Sequence, residues 1–197
     1  MFLETIKIYN GKIYNIEWHN QRFNQTRQAF FENIEPLYLQ KYIEAPTEGL
    51  FRCRVVYAKE IISIEYIPYQ AKNFKNFKIV QSNIDYNYKY ANREELNRLK
   101  EENYLYQEII IEKNGLLTDT TIANIAFYDG SGWITPKTPL LGGIMRMKLI
   151  NSGFLIEKNI KSEDIKHFLN FALMNAMIGF QIQKSIKDII IKENKCL

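Results

Sequence analysis

The sequence predicts an α+β protein in two small lobes, and three observations support this fold class. The N-terminal part has the alternation of an antiparallel sheet with one helix across it, and the C-terminal part alternates strands with short helices. A mostly polar stretch, residues 71–76, lies between the two parts. A length of 197 residues is enough for two small packed lobes with a buried core.

The N-terminal lobe, residues 1–72, is predicted to begin with a hairpin. Residues 2–16 alternate well enough for two strands, and Asn10-Gly11 between them is a strong signal for a two-residue turn. From 17 to 32, large side chains recur every three or four residues, which predicts a helix. Two strands rich in β-branched and aromatic residues are predicted at 50–58 and 61–68, after a short stretch bracketed by Pro36 and Pro46.

The C-terminal lobe, residues 73–197, is predicted to alternate strands with short helices. Strands are expected at 77–81, 108–112, 124–128 and 133–135, after Gly153, and near 168–175 and 187–192. Helices are expected at 93–104, from Gly142-Gly143 to about residue 151, and from Ser162. Turn signals at Asn114-Gly115 and Asp129-Gly130 separate neighbouring strands.

Composition and charge exclude several classes of protein. The two cysteines, Cys53 and Cys196, are too few for a disulfide framework, which predicts a reduced, cytoplasmic setting. The net charge is +4, but lysines and acids are interspersed, so a solvated surface is favoured over a nucleic-acid partner. Without a long apolar run, neither a signal peptide nor a membrane partner is expected.

Common catalytic and binding motifs are absent from the sequence. His19 and His167 do not lie at metal-ligand spacing, so no metal site is expected. There is no glycine-rich nucleotide motif and no serine nucleophile elbow. An enzyme with this sequence would therefore have to use a lysine, an acid or a cofactor.

Three segments carry candidate chemistry. Lys89 lies between Tyr88 and Tyr90, where burial would lower the pKa of its amine and prepare a nucleophile; a solvated lysine is the alternative. Asp119 precedes an apolar strand and is predicted either to cap a turn or to face a protonated ring nitrogen. Gly142-Gly143 comes directly before a helix, whose first N–H groups could hold a phosphate, or it could simply connect a loop to that helix.

In their order along the chain, these segments resemble the class IV pyridoxal-phosphate enzymes. A lysine, an acid followed five residues later by Asn, and the sequence TP…GGIMR occur in the family's order. Glu4-Thr5 and the stretch from His19 to Arg22 are similar to its ET and HxxR elements, and 173–179 is similar to its NAxxG-type segment. The resemblance covers about residues 2–185. Asp119 stands where the family commonly has Glu, and the chain begins at the ET strand.

The resemblance implies the two-lobed D-amino-acid aminotransferase-like fold (fold type IV), with a shortened N-terminal lobe and pyridoxal 5'-phosphate between the lobes. It implies that Lys89 binds the cofactor covalently and then acts as the catalytic base. The other implied cofactor contacts are Arg22, Ile144, Met145 and Asn175 for the phosphate, Asp119 for the ring nitrogen, and Asn92 and Asn124 as supports around the ring.

Within the family, the lysine followed by Asn and Arg, the GIMR sequence and Asn175-Ala176 are most similar to aminodeoxychorismate lyases. This similarity implies release of pyruvate and 4-aminobenzoate, for folate biosynthesis, by a homodimer acting on a small molecule. An aminotransferase acting on branched-chain or related amino acids is the alternative. A binding protein that kept the fold and lost the cofactor is a third reading, against which the intact Lys89 and Arg22 argue.

Two further arginines, Arg52 and Arg54, lie two residues apart in the predicted strand 50–58 and therefore share one face of it. That face could bind a substrate carboxylate or simply face solvent. The phosphate is expected on Arg22 instead, because Arg22 occupies the position of the arginine in HxxR.

Overall fold

The computed structural model describes residues 1–183 and 186–190 and divides the chain into two compact units. The first comprises Met1–Ala71 with two short later segments, Tyr88–Asn92 and Ala176–Ile178. The second comprises Lys72–Asn87, Arg93–Asn175 and the described residues from Gly179 onward. Cys196 and the last two residues of the predicted strand 187–192 lie outside the described residues.

The first unit differs from the predicted N-terminal lobe, residues 1–72, because it includes the segment around Lys89. The Leu3 N–H donates to the Lys89 carbonyl at 2.8 Å, and Tyr90 forms a β-bridge with Phe2. The segment therefore pairs with the first strand of the chain, although more than eighty residues separate the two in sequence.

The first unit is a four-stranded antiparallel sheet crossed by one helix. Its strands are β1 (Phe2–Tyr9), β2 (Lys12–Ile13), β3 (Leu50–Tyr57) and β4 (Ile61–Pro68), in the order β2-β1-β3-β4, and its helix is α1 (Ile16–Phe30). Leu39–Lys41 form a 3₁₀ turn. Asn10 and Gly11 both have positive φ, 47° and 77°, as the predicted two-residue hairpin turn requires.

One face of this sheet is buried under α1. Ile6 and Cys53, directly opposite each other on β1 and β3, are fully buried, and they pack in one core with Phe23 of α1. Because side chains alternate along a strand, Lys7 and Arg52, the next pair along, lie on the other face.

The second unit is a mixed sheet with two α-helices. Its strands are β5 (Phe77–Gln81), β6 (Glu108–Lys113), β7 (Leu116–Thr120), β8 (Asn124–Tyr128), β9 (Trp133–Pro136), β10 (Leu155–Lys158), β11 (Asn170–Asn175), β12 (Gly179–Ile182) and β13 (Ile189–Ile190). Along the described chain, the sheet order is β10-β9-β8-β7-β6-β5-β13, and β11 pairs with β8 and β12. The helices are α2 (Glu94–Glu101) and α3 (Ile144–Asn151), with 3₁₀ turns at Ser162–His167 and Ile186–Asp188.

The structure contains two strands, β7 and β12, that the sequence pattern did not predict. β7 includes small polar residues, so it lacks the apolar alternation of a half-buried strand. It is nevertheless buried, because its polar side chains have partners: the hydroxyl of Thr118 donates to the Ile111 carbonyl at 2.7 Å. β12 begins at Gly179, whose φ of 68° turns the chain back onto β11.

Membrane-spanning helices and metal clusters are both absent from the described residues. None of the helices in the described ranges is long and apolar enough to cross a membrane. Within the same residues, no group of three or more histidine, cysteine, aspartate and glutamate side chains is arranged to hold a metal ion.

Candidate active site

A buried charge cluster in the first unit contains Arg22. Glu4 lies on the inward face of β1 and is fully buried, and His19 and Arg22 lie one turn apart on α1. Arg22 donates from Nε to Glu4 Oε1 at 2.8 Å and from Nη2 to Glu4 Oε2 at 2.6 Å. Nδ1 of His19 is 2.6 Å from the same Oε2. One carboxylate on β1 therefore holds both side chains of the helix.

The surroundings of this cluster determine its charges. Burial alone would raise the pKa of Glu4, but the Arg22 guanidinium and the hydrogen bonds outweigh it and lower that pKa to about 2. Burial lowers the pKa of His19, and the charges of Arg22 and Lys89 act in the same direction against the opposing effect of Glu4. A neutral His19 donates its Nδ1 proton to Glu4, which leaves Nε2 as an acceptor, buried and without a hydrogen-bond partner in the described residues.

The contact with Glu4 determines how Arg22 can bind an anion. Glu4 occupies the Nε–Nη2 edge of the guanidinium, so a two-bond contact with a phosphate has to use the Nη1–Nη2 edge. The Arg22 side chain is only 11% exposed. The buried carboxylate therefore fixes the orientation of the guanidinium.

Lys89 lies in the first unit, beside the N-terminal end of β1. The Tyr90 N–H donates to the Tyr88 carbonyl at 2.8 Å, so Lys89 is the central residue of a tight three-residue turn. The rings of Tyr88 and Tyr90 both pack against Phe2, with centroids 6.3 and 5.5 Å from its ring, and Lys89 itself is half-buried. Asn92 ends the same segment. The structure thus places Lys89 next to the strand that carries Glu4.

In the second unit, Asp119 and Asn124 face each other across the β7–β8 hairpin. Nδ2 of Asn124 donates to Asp119 Oδ1 at 2.7 Å and to the Leu141 carbonyl at 2.8 Å, and the Leu141 N–H donates to Asp119 Oδ2 at 2.9 Å. The hairpin turn has a different cap: the hydroxyl oxygen of Thr120 accepts from the Ala123 N–H at 3.0 Å. Asp119 is therefore not the cap of this turn.

The environment of Asp119 suits a cationic partner. Burial raises the pKa of Asp119 to about 6, although the Leu141 N–H, the Asn124 amide and the charge of Arg146 act in the opposite direction. Each carboxylate oxygen can accept more than one hydrogen bond, and the donors named above are neutral. A protonated nitrogen placed against this carboxylate would stabilise its ionised form.

The chain enters α3 through Gly143, which lies against Asn124. A Cβ atom on Gly143 would lie 2.0 Å from Asn124 Oδ1, so a larger residue would displace that side chain. Gly143 is the extended N-cap of the helix, and Ile144 and Met145 form the start of its first turn. In a first turn the helix supplies no acceptor to the N–H groups, and its dipole favours an anion there.

Two other residues of the predicted motifs have clear structural contacts. Arg146 donates to the Pro136 carbonyl at 2.8 Å and forms an ion pair with Glu157, so it joins α3 to β9 and β10. Asn175, at the end of β11, donates from Nδ2 to the Ile122 carbonyl at 3.2 Å. This bond places Asn175 at the β7–β8 turn, which comes just after Asp119 in the sequence.

The predicted site residues fall into two groups. Arg22, Lys89 and Asn92 belong to the first unit, and Asp119, Asn124, Ile144, Met145 and Asn175 belong to the second. Glu4 and His19 belong to predicted motifs but had no predicted role, and in the structure Glu4 binds both His19 and Arg22. A charged residue at an inward position of an apolar strand was the signal that could have identified Glu4.

A comparison of the sequence with known families decides the classification. The family described as amino-transferase class IV matches residues 1–186. The chain belongs to the class IV aminotransferase family. The predicted family and fold type are both confirmed, since solved class IV structures superpose on the chain over most of its length.

Three related proteins show how far the class IV similarity extends. A Haemophilus influenzae protein of uncharacterised function is 37% identical over 182 residues, 89% of this chain and 97% of that protein. A Haemophilus somnus structure, provisionally assigned as a 4-amino-4-deoxychorismate lyase, is 35% identical, with a TM-score of 0.83 over 90% of this chain and 96% of the other. The PLP-bound form of a hypothetical aminotransferase from Mycobacterium tuberculosis is 12% identical, with a TM-score of 0.74 over 93% and 80%. This last likeness shows the fold alone.

Proposed function

We propose that this protein is a pyridoxal-phosphate-dependent lyase that converts 4-amino-4-deoxychorismate into pyruvate and 4-aminobenzoate, a precursor of folate. The observation that carries the proposal is the Haemophilus somnus structure provisionally assigned to that activity, which is 35% identical over 90% of this chain. The aminotransferase structure from Mycobacterium tuberculosis shares only 12% identity.

Pyridoxal phosphate is the proposed cofactor, and the donor set of the described residues fits it. Arg22 and the first turn of α3 offer a guanidinium and backbone N–H groups, which suit a phosphate. Asp119 offers a desolvated carboxylate, which suits a protonated ring nitrogen. Lys89 offers an amine to the aldehyde. Asn175 is proposed as a further contact of the phosphate, and Asn92 and Asn124 are proposed as polar supports around the cofactor ring.

The residues have separate roles in this proposal. When bound, pyridoxal phosphate supplies an electron sink for the negative charge left when the substrate loses a proton. Lys89 would hold the cofactor through its amine, and this amine, when free, would accept the C–H proton of the substrate. Asp119 keeps the ring nitrogen protonated. Arg22, oriented by Glu4, would hold the phosphate.

In the proposed reaction, the main task of the protein is to orient the substrate. The ring carbon that bears the amine loses a proton, the C–O bond to the enolpyruvyl group breaks, and pyruvate leaves after taking up a proton. The ring becomes aromatic, which supplies driving force. The protein therefore has to hold the substrate C–H bond against the amine of Lys89.

An aminotransferase acting on branched-chain or related amino acids is the second candidate. It is supported by the match of residues 1–186 to the class IV aminotransferase family. It would use the same residues, but it would need a 2-oxo acid as second substrate. For either reaction we propose a cytoplasmic homodimer.

A comparison of substrates tests the proposed function. Purified protein with pyridoxal phosphate is given 4-amino-4-deoxychorismate in one reaction, and leucine with 2-oxoglutarate in another. We expect equal amounts of pyruvate and 4-aminobenzoate in the first reaction and no glutamate in the second. Lys89→Ala should abolish product formation, whereas Lys41→Ala, at an exposed position, should not. Glutamate without pyruvate would establish the aminotransferase instead.

A further inference from the structure

Two charged side chains that have no role in the proposed function both bind Thr121, in the turn between β7 and β8. Arg93, the N-cap residue of α2, donates from Nη2 to the Thr121 carbonyl at 2.7 Å. Oε1 of Glu108, on the first residue of β6, accepts from the Thr121 hydroxyl at 2.8 Å and from its N–H at 3.4 Å. These contacts of Arg93 and Glu108 with Thr121 are called the turn clamp below.

The turn is closed without the turn clamp. The Thr120 N–H donates to the Ala123 carbonyl at 2.9 Å, and the Thr120 hydroxyl oxygen accepts from the Ala123 N–H at 3.0 Å. Glu108 is nevertheless buried, and burial of a carboxylate costs free energy that only specific partners offset. Because the conformation of the turn is already fixed from within, Arg93 and Glu108 determine instead where the turn lies relative to α2 and β6.

The strand pairing around Asp119, two residues before Thr121, is irregular. Within the described residues, β7 and β8 are in register at the single pair of Asp119 and Asn124. On the β6 side the register shifts, so that Thr118 and Asp119 both face one residue of β6. This arrangement is a β-bulge, which interrupts the ladder and redirects a side chain. The backbone of Asp119 therefore depends on the adjacent turn more than a residue in a regular ladder would.

Asp119 is held from two directions as a result. Asn124 and the Leu141 N–H bind its carboxylate oxygens, and these contacts fix the side chain. The turn clamp holds Thr121 and so fixes the backbone that carries this side chain. A functional group has to be held within about 0.5 Å of its productive position, which requires support by residues around it.

We propose that Arg93 and Glu108 are positioning residues that hold Asp119 in line with the ring nitrogen of the cofactor. This rests on the proposed function, in which Asp119 is the partner of that nitrogen. A hydrogen bond weakens steeply as its angle departs from linear, so a small displacement of the turn reduces the contact without removing the carboxylate. Loss of the turn clamp therefore weakens one contact of the cofactor and leaves its phosphate and aldehyde contacts intact.

Two cofactor analogues isolate the contact at the ring nitrogen. Pyridoxal phosphate and 1-deazapyridoxal phosphate differ in that a C–H group replaces the ring nitrogen, and both keep the aldehyde and the phosphate. Each is titrated calorimetrically into the full chain freed of cofactor. The ratio of the two dissociation constants measures the contribution of the nitrogen. A variant that is merely less stable binds both compounds less and keeps the ratio.

Three variants remove the turn clamp by different routes. Glu108→Leu removes the acceptor, Arg93→Met removes the donor, and Thr121→Val removes the hydroxyl at similar side-chain size. Glu112→Leu is the matched control, because Glu112 is a second buried acid of β6 and accepts from Gln81 instead of the turn. Glu108→Gln and Thr121→Ser are the conservative variants, since each keeps the oxygen that forms the contact.

The wild type should bind pyridoxal phosphate about 10-fold or more tightly than the deaza analogue, which is the contribution of a hydrogen bond between charged groups. Each of the three variants that remove the turn clamp should reduce this ratio to about 3-fold or less, through weaker binding of pyridoxal phosphate. Glu108→Gln, Thr121→Ser and Glu112→Leu should keep the wild-type ratio. Thermal unfolding verifies that each variant is folded, and Thr121→Val tests the turn clamp with the smallest change in the core.

The results distinguish a failure of the turn clamp from a failure of the proposed function. A wild-type ratio in Glu108→Leu, Arg93→Met and Thr121→Val, together with a lost ratio in Asp119→Asn, would overturn the positioning role and leave the proposed function standing. An equal loss in Glu112→Leu would also overturn the positioning role. A protein that shows the expected ratios but forms no 4-aminobenzoate would overturn the proposed reaction alone. A wild type that binds both compounds equally would overturn the positioning role and the role of Asp119 together.

Discussion

Substitution of Glu4 by Gln should destabilise the first unit strongly. The change removes the anion and leaves the Arg22 guanidinium, 11% exposed, beside a neutral amide. Removing one partner of a buried ion pair costs about 3–5 kcal/mol. The lowered pKa gives a second figure, because a shift from 4.5 to about 2 corresponds to about 3 kcal/mol. Both the cost of breaking the ion pair and the pKa shift indicate that Glu4→Gln lowers the free energy of unfolding by about 3 kcal/mol or more.

The lowered pKa also determines how this loss depends on pH. Glu4 stabilises the folded state fully above its unfolded pKa of about 4.5, and the contribution is lost as the pH falls towards 2. For a chain of this length, 3 kcal/mol corresponds to about 6–12 °C in Tm. Glu4→Gln should therefore melt about 6–12 °C below wild type at pH 7, and the difference should shrink steadily between pH 4.5 and pH 2.

Thermal unfolding followed by circular dichroism at pH 7 and at low pH measures both effects. Glu102→Gln is the control, because Glu102 lies 3.9 Å from Arg98 and both side chains of this pair are exposed. Exposed ion pairs contribute about 0–1 kcal/mol, so the control should melt close to wild type at both pH values. A Glu4→Gln protein that also melts within about 2 °C of wild type at pH 7 would refute the coupling between Glu4 and Arg22.

Cofactor binding provides a second readout of the same substitution. Glu4 orients the guanidinium proposed to hold the phosphate, so Glu4→Gln should weaken binding of pyridoxal phosphate more than binding of pyridoxal, which has no phosphate. Arg22→Ala should show the same selectivity, and Arg54→Ala should not. Equal weakening of both compounds by Glu4→Gln would mean that Glu4 acts only on stability.

Three smaller tests concern the second unit and the assembly. Asp119→Asn should leave pyridoxal phosphate bound but slow turnover per bound cofactor by about 100-fold or more, since the ring nitrogen loses its charged partner; a wild-type rate would refute this role. Gly143→Ala should lower the free energy of unfolding in urea by about 1–3 kcal/mol, because its Cβ would meet Asn124, whereas Gly142→Ala meets no atom within 4 Å and serves as the control. Light scattering should give the mass of a dimer, and a mass near the 23.4 kDa of one chain would contradict it.

Much of the fold was predictable from sequence because its strongest determinants are local. The Asn10-Gly11 turn fixes the first hairpin through two positive φ angles, which these residue types accept readily. Helical spacing predicted 17–32, and α1 runs over Ile16–Phe30. β7 could not be found in this way, since its polar side chains are buried through hydrogen bonds to other parts of the sheet, such as the bond of Thr118 to Ile111 on the neighbouring strand β6.

The site residues were predicted as a set of motifs, but their partners were not. Glu4 and Arg22 are 18 residues apart, and their contact depends on how α1 packs on β1. Lys89 was predicted because it lies between two tyrosines. Its position beside β1 depends on the backbone hydrogen bond from Leu3, which no local sequence pattern predicts. The role of Thr120 as turn cap was likewise hidden, because Asp119 beside it is an equally good capping residue by type.

The most direct test of the proposed active site identifies the residue to which pyridoxal phosphate is covalently attached. The protein is incubated with pyridoxal phosphate, reduced with borohydride, digested and mapped by mass spectrometry. The pyridoxyl group should be found on Lys89, and Lys89→Ala should carry none. A pyridoxyl group on another lysine, or on no lysine of the wild-type protein, would contradict the proposed site and the chemistry assigned to it.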